Sequence, residues 1–199
     1  MPRSPQSSLS PDSPPADPQP AAPARLVGLA PVVSERTVVL VLGSFPGVAS
    51  LRAGQYYGHP QNHFWPILQA LWPRHPLPGR DRYAERCAWL LDRGLGLWDV
   101  YAACEREGSL DTSIRNAAVN DFAALRPRCP RLSAIAHNGG ESFRHARAVR
   151  AALGLPAGLQ EGPVPSLRLP STSPANASWS FERKRAAWAE ALAPFGLMD

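Results

Sequence analysis

The stretch TVVLVLGS, residues 37–44, places an unbroken run of aliphatic residues before a glycine and a serine. An apolar run without alternating polar residues is typical of a parallel strand that is buried on both faces. Three later stretches have the same character: LGLWDV at 95–100, LSAIA at 132–136 and SLRL at 166–169. The sequence therefore predicts four strands of one mainly parallel sheet.

Helical patterns lie between these strands and after the last one. They cover residues 62–72, 81–93, 141–153 and 180–193. Strands that alternate with helices form a parallel sheet that is covered on both faces. We therefore predict an α/β fold, a three-layer α/β/α sandwich with a central, mainly parallel four-stranded sheet.

Residues 1–24 differ in composition from the rest of the chain. They are mostly proline, serine, alanine and glutamine, and such a segment buries too little apolar surface to offset the entropy of ordering. We expect a disordered tail there and a single α/β domain over residues 25–199. We find no signal-peptide pattern and no apolar run of membrane-spanning length, so we expect a cytoplasmic protein without membrane contact.

The cationic charge of the chain comes almost entirely from arginine. The formal net charge is +5, and Lys184 is the only lysine. The planar guanidinium group of arginine matches the geometry of a phosphate group, so this charge is compatible with a nucleic-acid partner. A GC-rich genome would produce the same excess of arginine over lysine. Three widely spaced cysteines form no metal-binding or disulfide pattern, and we expect neither a metal nor a cofactor.

In a parallel α/β sheet, the functional site lies outside the carboxyl ends of the strands. Four segments occupy that position: residues 43–62, 99–111, 137–141 and 169–176. In the last of them, LPSTSPAN, two prolines and several small polar side chains fit either a loop that binds a phosphate backbone or an ordinary exposed loop. Asp99 and Asp111 fit either substrate-orienting groups or, more simply, solvated turn residues.

The first of these segments is rich in glycine and aromatic residues. GSFPG, residues 43–47, is a tight turn without the spacing of a phosphate-binding loop. Tyr57 could provide a face for stacking a base, or could fill the core. Asn62 lies where a predicted helix begins, so it could hold a water molecule or simply cap that helix.

At this point the chain resembles the uracil-DNA glycosylase superfamily. The residues that carry the resemblance are GSFPG at 43–47, YYGHPQNHFW at 56–65, LWDV at 97–100, GSLD at 108–111 and LPS at 169–171. Together they are most similar to the hypoxanthine-DNA (deoxyinosine) glycosylase family. The similarity extends over residues 37–188.

The resemblance implies roles for individual residues. Phe45 stands where mismatch-specific relatives carry a water-activating asparagine, so the catalytic asparagine is expected to be Asn62. Tyr57 matches the aromatic residue that stacks on the flipped base. Leu169 replaces a histidine that stabilises the departing base in relatives, and Pro170 and Ser171 match the rest of that motif.

The loops at the carboxyl ends of the strands, together with the resemblance, indicate two groups of binding residues. The base pocket is expected to contain Gly43, Ser44, Phe45, Tyr57, His59, His137 and Asn138. The loop that holds the DNA backbone is expected to contain Pro170, Ser171, Thr172 and Ser173.

The implied activity is that of a monofunctional DNA glycosylase of base-excision repair. It would flip out a deaminated base, hypoxanthine first of all, and hydrolyse its N-glycosidic bond with a water molecule held by Asn62. We expect a monomer that acts on double-stranded DNA, and also on single strands, close to a bacterial nucleoid. The alternatives are a uracil or thymine mismatch glycosylase, a catalytically silent module that binds damaged DNA, and a hydrolase of free nucleosides.

Overall fold

The central sheet consists of four parallel strands, as predicted. The computed structural model describes residues 25–160 and 162–198, so the predicted tail at 1–24 lies outside the described residues. In spatial order the strands are β3-β2-β6-β7, and each neighbouring pair is parallel. Their bounds are Val39–Gly43 for β2, Leu95–Asp99 for β3, Ala134–Asn138 for β6 and Ser166–Leu169 for β7.

Every residue of β2, β3 and β6 is buried, which explains why these strands are continuous apolar runs. The register aligns their carboxyl ends: Gly43 pairs with Asp99, and Asn138 pairs with Leu169. The loops that follow the four strands therefore meet at one edge of the sheet.

Seven helices connect or follow the strands in the described part of the chain. They are Val48–Ala53 (α1), Phe64–Leu71 (α2), Tyr83–Asp92 (α3), Phe122–Leu125 (α4), Gly140–Arg144 (α5), Ala146–Ala152 (α6) and Phe181–Leu192 (α7). The connections from β2 to β3 and from β6 to β7 run in opposite directions from the centre of the sheet. Because crossovers between parallel strands are right-handed as a rule, we expect the helices of these two connections to cover opposite faces. Contacts between α2 and α7, and between α4 and α6, agree with this three-layer arrangement.

A second, antiparallel sheet was not predicted from the sequence. It has the order β1-β4-β5 and contains Arg25–Val27 (β1), Tyr101–Glu105 (β4) and Arg115–Val119 (β5). Most of β5 is exposed, and the residues RNAAV include few β-branched or aromatic side chains. Neither apolar periodicity nor strand propensity marks such a segment.

Most predicted elements differ from the structure by one or two residues at their ends, and two of the differences affect residues near the site. The strand predicted at 132–136 is Ala134–Asn138, so His137 and Asn138 belong to β6 and not to the loop after it. The helix predicted at 141–153 is divided at His145 into α5 and α6. The His145 N–H bonds to the Ser142 carbonyl, and its ring is 2.6 Å from the Tyr101 hydroxyl.

The core beneath the carboxyl edge is aromatic. The rings of Trp65 and Trp188 pack edge-on against Phe64, and all three side chains are buried. The Trp65 indole N–H donates to the Tyr56 carbonyl at 3.1 Å, and the Trp188 indole N–H donates to the Pro170 carbonyl at 3.3 Å. These residues therefore fix two loops of the carboxyl edge as well as fill the core.

Candidate active site

A cavity of about 790 Å³ opens at the carboxyl edge of the sheet. Its volume lies in the range of sites that bind small organic groups. The four segments predicted to meet there all contribute to its walls. Of the predicted site residues, the cavity is lined by Asn62, Gly43, Ser44, Phe45, Tyr57, His59, Asn138, Pro170, Ser171, Thr172 and Ser173.

Gly43 and Asp99 form the ends of two neighbouring strands on this edge. A Cβ atom on Gly43 would lie 2.3 Å from Asp99 Oδ1, so only glycine leaves space for the carboxyl group. Asp99 is 3% exposed, and its Oδ2 has no hydrogen-bond partner among the described residues. The interpretation of Asp99 as a solvated turn residue was wrong, because the side chain packs over β2.

The environment of Asp99 favours its neutral form. Burial, reinforced by the negative charge of Asp111, raises the pKa of Asp99 to about 7, and the Arg106 guanidinium offsets only part of this. Arg106 itself donates to the Pro46 carbonyl and lies 5.0 Å from the centre of the Phe45 ring. The cavity wall thus contains a carboxyl group that titrates near neutral pH.

Tyr57 lies on the cavity wall with a left-handed backbone, at φ 55°. One face of its ring stacks on Phe64, with centroids 3.9 Å apart and planes 24° apart. Burial, and then the Asp99 carboxylate, raise the pKa of Tyr57, partly offset by the Asn138 amide. The phenol therefore stays neutral. The ring also lines the cavity, so a planar ligand there can contact it.

Asn62 lies one residue before the N-cap of α2, which is His63 and not Asn62 as predicted. The Asn62 Oδ1 nevertheless accepts a hydrogen bond from the Phe64 N–H, the first N–H of the helix, at 2.9 Å, and so caps the helix from one position earlier. The side chain is half-buried and lines the cavity. Capping fixes the orientation of the amide, while the second lone pair of Oδ1 is left for another donor.

Three further predicted residues line the cavity in different environments. The Ser44 hydroxyl donates to Asp111 Oδ1 at 2.6 Å. The Phe45 side chain is buried beneath Arg106 and offers only an apolar surface. His59 is exposed at the rim, where its Nδ1 accepts the Gln61 N–H at 3.2 Å.

Asn138 and Thr172 bind each other through two hydrogen bonds of 2.9 Å. The Asn138 amide nitrogen donates to Thr172 Oγ1, and its oxygen accepts the Thr172 N–H. Thr172 is fully buried, so its predicted contact with the DNA backbone is wrong. The two hydrogen bonds instead attach the loop after β7 to the end of β6, and Asn138 forms part of the cavity wall.

Ser171 and Ser173 remain candidates for phosphate contacts. The Ser171 hydroxyl oxygen accepts the Ser173 N–H, and the Ser173 hydroxyl oxygen accepts the Ala175 N–H. In these bonds both hydroxyl groups are acceptors, so each can still donate its own hydrogen to a phosphate oxygen. The buried Lys184 donates to the Ser173 carbonyl at 3.4 Å, which holds the loop against α7.

His137 does not reach the cavity, contrary to the prediction. It is a fully buried residue of β6, and its Nδ1 is 2.9 Å from the Ser142 hydroxyl. Burial lowers the pKa of His137 to about 4. Its physical role is to pack α5 against the sheet.

Two lining residues with large side chains, Arg168 and Trp179, were missed by the sequence reasoning. Arg168 on β7 is exposed and lines the cavity beside Gly140. Trp179 precedes α7, and the guanidinium of Arg183 lies 4.5 Å from the centre of its ring. The sequence could have indicated both residues, because Arg168 directly precedes the LPS motif and Trp179 lies just before a helix rich in basic residues.

The described residues contain neither a group of metal-binding side chains nor a membrane-spanning helix. Over residues 25–160 and 162–198, no three His, Cys, Asp or Glu residues are grouped for a metal ion. In the same ranges, each helix is too short or too polar to cross a membrane.

Comparison with known proteins identifies the same family as the sequence motifs. The family model of the uracil DNA glycosylase superfamily matches residues 30–193. A hypoxanthine DNA glycosylase of Methanosarcina barkeri is 36% identical over 169 residues, which cover 83% of this chain and 96% of that protein. A protein of the same name from Methanosarcina acetivorans is 37% identical over 115 residues, covering 56% of this chain and 70% of that protein.

A solved structure shares the fold. The solution NMR structure of a protein assigned as a uracil DNA glycosylase from Methanosarcina acetivorans is similar to this chain, with a TM-score of 0.66 and 31% sequence identity. The match covers 84% of this chain and 98% of that chain.

Burial of His137 predicts a pH-dependent stability. The pKa of His137 is about 4 in the folded state and 6.5 when unfolded, so between these values the unfolded state binds more protons. The stability contributed by neutral His137 is complete above pH 6.5 and falls by up to about 3 kcal/mol on going to pH 4. Urea denaturation at several pH values measures this.

The reference for that series is His137→Asn, which keeps a polar group near Ser142 but does not titrate. Asp99 acts in the opposite direction, because its raised pKa favours the folded state as pH falls. The difference between wild type and variant isolates His137. A difference that is constant from pH 4 to 6.5 would contradict the prediction.

The Asn138–Thr172 pair predicts a second effect on stability. Thr172→Val removes the acceptor of the Asn138 amide and leaves a buried donor unpaired, at a cost of about 1–3 kcal/mol. Urea denaturation measures the loss, with the exposed Thr112→Val as the matched control. Equal unfolding free energies for the two variants would show that the pair does not stabilise the loop.

Proposed function

The chain belongs to the uracil DNA glycosylase superfamily and is a DNA glycosylase, and we propose that hypoxanthine is the base it excises. The named hypoxanthine DNA glycosylases cover most of this chain, and most of their own length is matched. The motifs at 43–47 and 56–65, which carry the resemblance to that family, both line the cavity. We further propose that residues 25–199 act as one monomeric glycosylase domain.

The observation that carries the proposed mechanism is the geometry of Asn62. Cleavage of the glycosidic bond develops positive charge at the sugar C1′, which then reacts with water. An amide does not titrate as a base, but an oxygen with a fixed orientation aims a water molecule by accepting its hydrogen bond. The Phe64 N–H holds Asn62 Oδ1 in such an orientation at the cavity wall.

Stacking on Tyr57 supports the proposed base binding. Flipping a nucleotide out of the duplex costs a few kcal/mol, least where the base is mispaired. A flipped base that stacks on Tyr57 recovers about 1–3 kcal/mol. Because the Tyr57 ring rests on Phe64 at 3.9 Å, the platform is held in place before the base arrives.

The departing base carries negative charge, which the site must stabilise. Leu169 stands where relatives use a histidine, and its side chain is apolar and buried. We propose that backbone N–H groups of Ser44, Phe45 and Gly140, which all line the cavity, take over this task.

The lysine content of the chain supports a purely hydrolytic reaction. Glycosylases that also cleave the strand use an amine to form a Schiff base with the sugar. Lys184 is the only lysine of the chain, and it is fully buried outside the cavity wall. We therefore propose a monofunctional enzyme that releases the base and leaves an abasic site.

We propose duplex DNA with a deaminated base as the partner, and single strands as a second substrate. The loop of Pro170, Ser171 and Ser173 would contact the phosphate backbone, together with Arg168 at the mouth of the cavity. Such contacts make binding weaker as salt increases, whereas a hydrolase of free nucleosides would lack this dependence. Uracil is the second candidate base, because a solved relative is assigned as a uracil DNA glycosylase.

Replacement of Asn62 tests the proposed function. In single-turnover assays on a duplex with one hypoxanthine–thymine pair, Asn62→Ala should lower the rate by about 100-fold or more, because the water loses its orientation. Loss of the cap costs only about 1 kcal/mol of stability, so the variant stays folded. Asn62→Asp keeps both the cap and an acceptor and should retain more activity than Asn62→Ala.

Gln61→Ala is the matched control, since Gln61 is the exposed neighbour. It should excise hypoxanthine at the rate of wild type, and all variants should bind the duplex. If Asn62→Ala excises as fast as Gln61→Ala, Asn62 is only a helix cap. If wild type binds the duplex but releases no base, the chain is the silent binding module.

A further inference from the structure

One tryptophan of the chain lies at the mouth of the cavity and not in the core. The chain contains six tryptophans, and five of them are buried: Trp65, Trp72, Trp89, Trp98 and Trp188. Trp179 is half-buried, lies outside the hydrophobic core and lines the cavity. A large aromatic ring that stays partly in contact with water is typical of a surface that binds a partner. The mechanism proposed above gives this ring no task.

Hydrogen bonds on both sides of Trp179 hold it in place. Ser180, the next residue, is the N-cap of α7, and its hydroxyl accepts the Arg183 N–H at 3.3 Å. On the other side, the Asn176 amide donates to the Ser171 carbonyl at 3.0 Å, which attaches this segment to the loop after β7. The ring is therefore carried by a backbone that is fixed before a ligand binds, which lowers the entropy lost on binding.

The guanidinium of Arg183 gives the Trp179 ring a cationic neighbour. Its central carbon lies 4.5 Å from the ring centroid, which is a cation–π distance. Arg185 on the same helix is paired with Glu182 at 2.9 Å, whereas the exposed Arg183 forms no ion pair among the described residues. Sites for single-stranded nucleic acid combine these two groups, because the ring stacks on a base and the cation attracts the phosphates.

We propose that Trp179 and Arg183 form a stacking site for a base adjacent to the damaged one in single-stranded DNA. This inference rests on the proposed function and adds a second stacking site to it. Tyr57 and Trp179 line the same cavity. One strand that enters this cavity can therefore place the damaged base on Tyr57 and a neighbouring base on Trp179.

Single strands gain more from this contact than duplexes do. In a duplex the neighbouring base is stacked and paired, so moving it onto Trp179 costs the energy of both interactions. In a single strand the same base is unpaired and only weakly stacked, so the contact with the ring is a net gain. Because a ring can stack on any base, the contact does not depend on the sequence around the lesion.

Strands with and without neighbouring bases test this contact. The first single strand contains one hypoxanthine between two thymines, and in the second strand both thymines are replaced by abasic tetrahydrofuran residues. A 2′-fluorine on the sugar of the hypoxanthine nucleotide opposes positive charge at C1′, so the strands stay intact while fluorescence anisotropy measures their dissociation constants. Trp179→Ala should bind the first strand about 10-fold or more weakly than wild type, which is the usual effect of losing one base–aromatic contact. On the second strand the two proteins should agree within about threefold, as a double-mutant cycle requires.

Two further measurements identify the ring as the contact. On a duplex made from the first strand, Trp179→Ala should change the dissociation constant by less than about threefold, because the neighbouring bases stay stacked. Trp179→Phe keeps a smaller aromatic ring and should bind the first strand more tightly than Trp179→Ala. Since the other five tryptophans are buried, quenching of the wild-type fluorescence by the first strand should largely disappear in Trp179→Phe. Thermal unfolding checks both variants, and Trp179→Phe decides the outcome if Trp179→Ala does not fold.

The outcomes distinguish this inference from the function on which it rests. If Trp179→Ala loses the same factor on both single strands, the ring stacks on no neighbouring base and the inference is wrong. A larger loss on the duplex than on the first strand would also overturn it. If the stacking results are as expected but wild type releases no hypoxanthine from the strand without fluorine, the proposed function fails and the stacking site stands as part of a binding module.

Discussion

The in-register pairing of four parallel strands determines where every functional group of this protein lies. Because Gly43 pairs with Asp99 and Asn138 pairs with Leu169, the carboxyl ends of the four strands are aligned at one edge of the sheet. The segments that follow them, though far apart in the chain, therefore enclose a single cavity. A shift of one residue in any strand would turn its terminal side chain to the opposite face of the sheet.

Phe64 connects this cavity to the core. Its ring supports Tyr57 at 3.9 Å, packs on Trp65 and Trp188, and its N–H orients Asn62. The stacking platform and the proposed water-binding amide are consequently attached to one buried residue. Preorganisation of this kind lowers the entropy that must be lost when a flipped base binds.

The sequence predicted the central sheet and the location of the site because both depend on local patterns. Continuous apolar runs marked the strands, and the YYGHPQNHFW motif marked Tyr57 and Asn62. The environment of Asp99 was not predictable, because its burial depends on a glycine more than fifty positions earlier in the chain. His137 was assigned to the cavity because the sequence does not show that β6 extends to Asn138. Thr172 was assigned to the DNA backbone because its hydrogen bond with Asn138 forms only in the folded chain.

The identity of the released base tests the central claim most directly. Wild type would be incubated with duplexes that each contain one hypoxanthine, uracil, xanthine or adenine, and the free bases would be identified by mass spectrometry. Release of hypoxanthine with an intact abasic strand, and no release of adenine, is the result that the account predicts. Release of uracil alone, or release of adenine as fast as hypoxanthine, would contradict it.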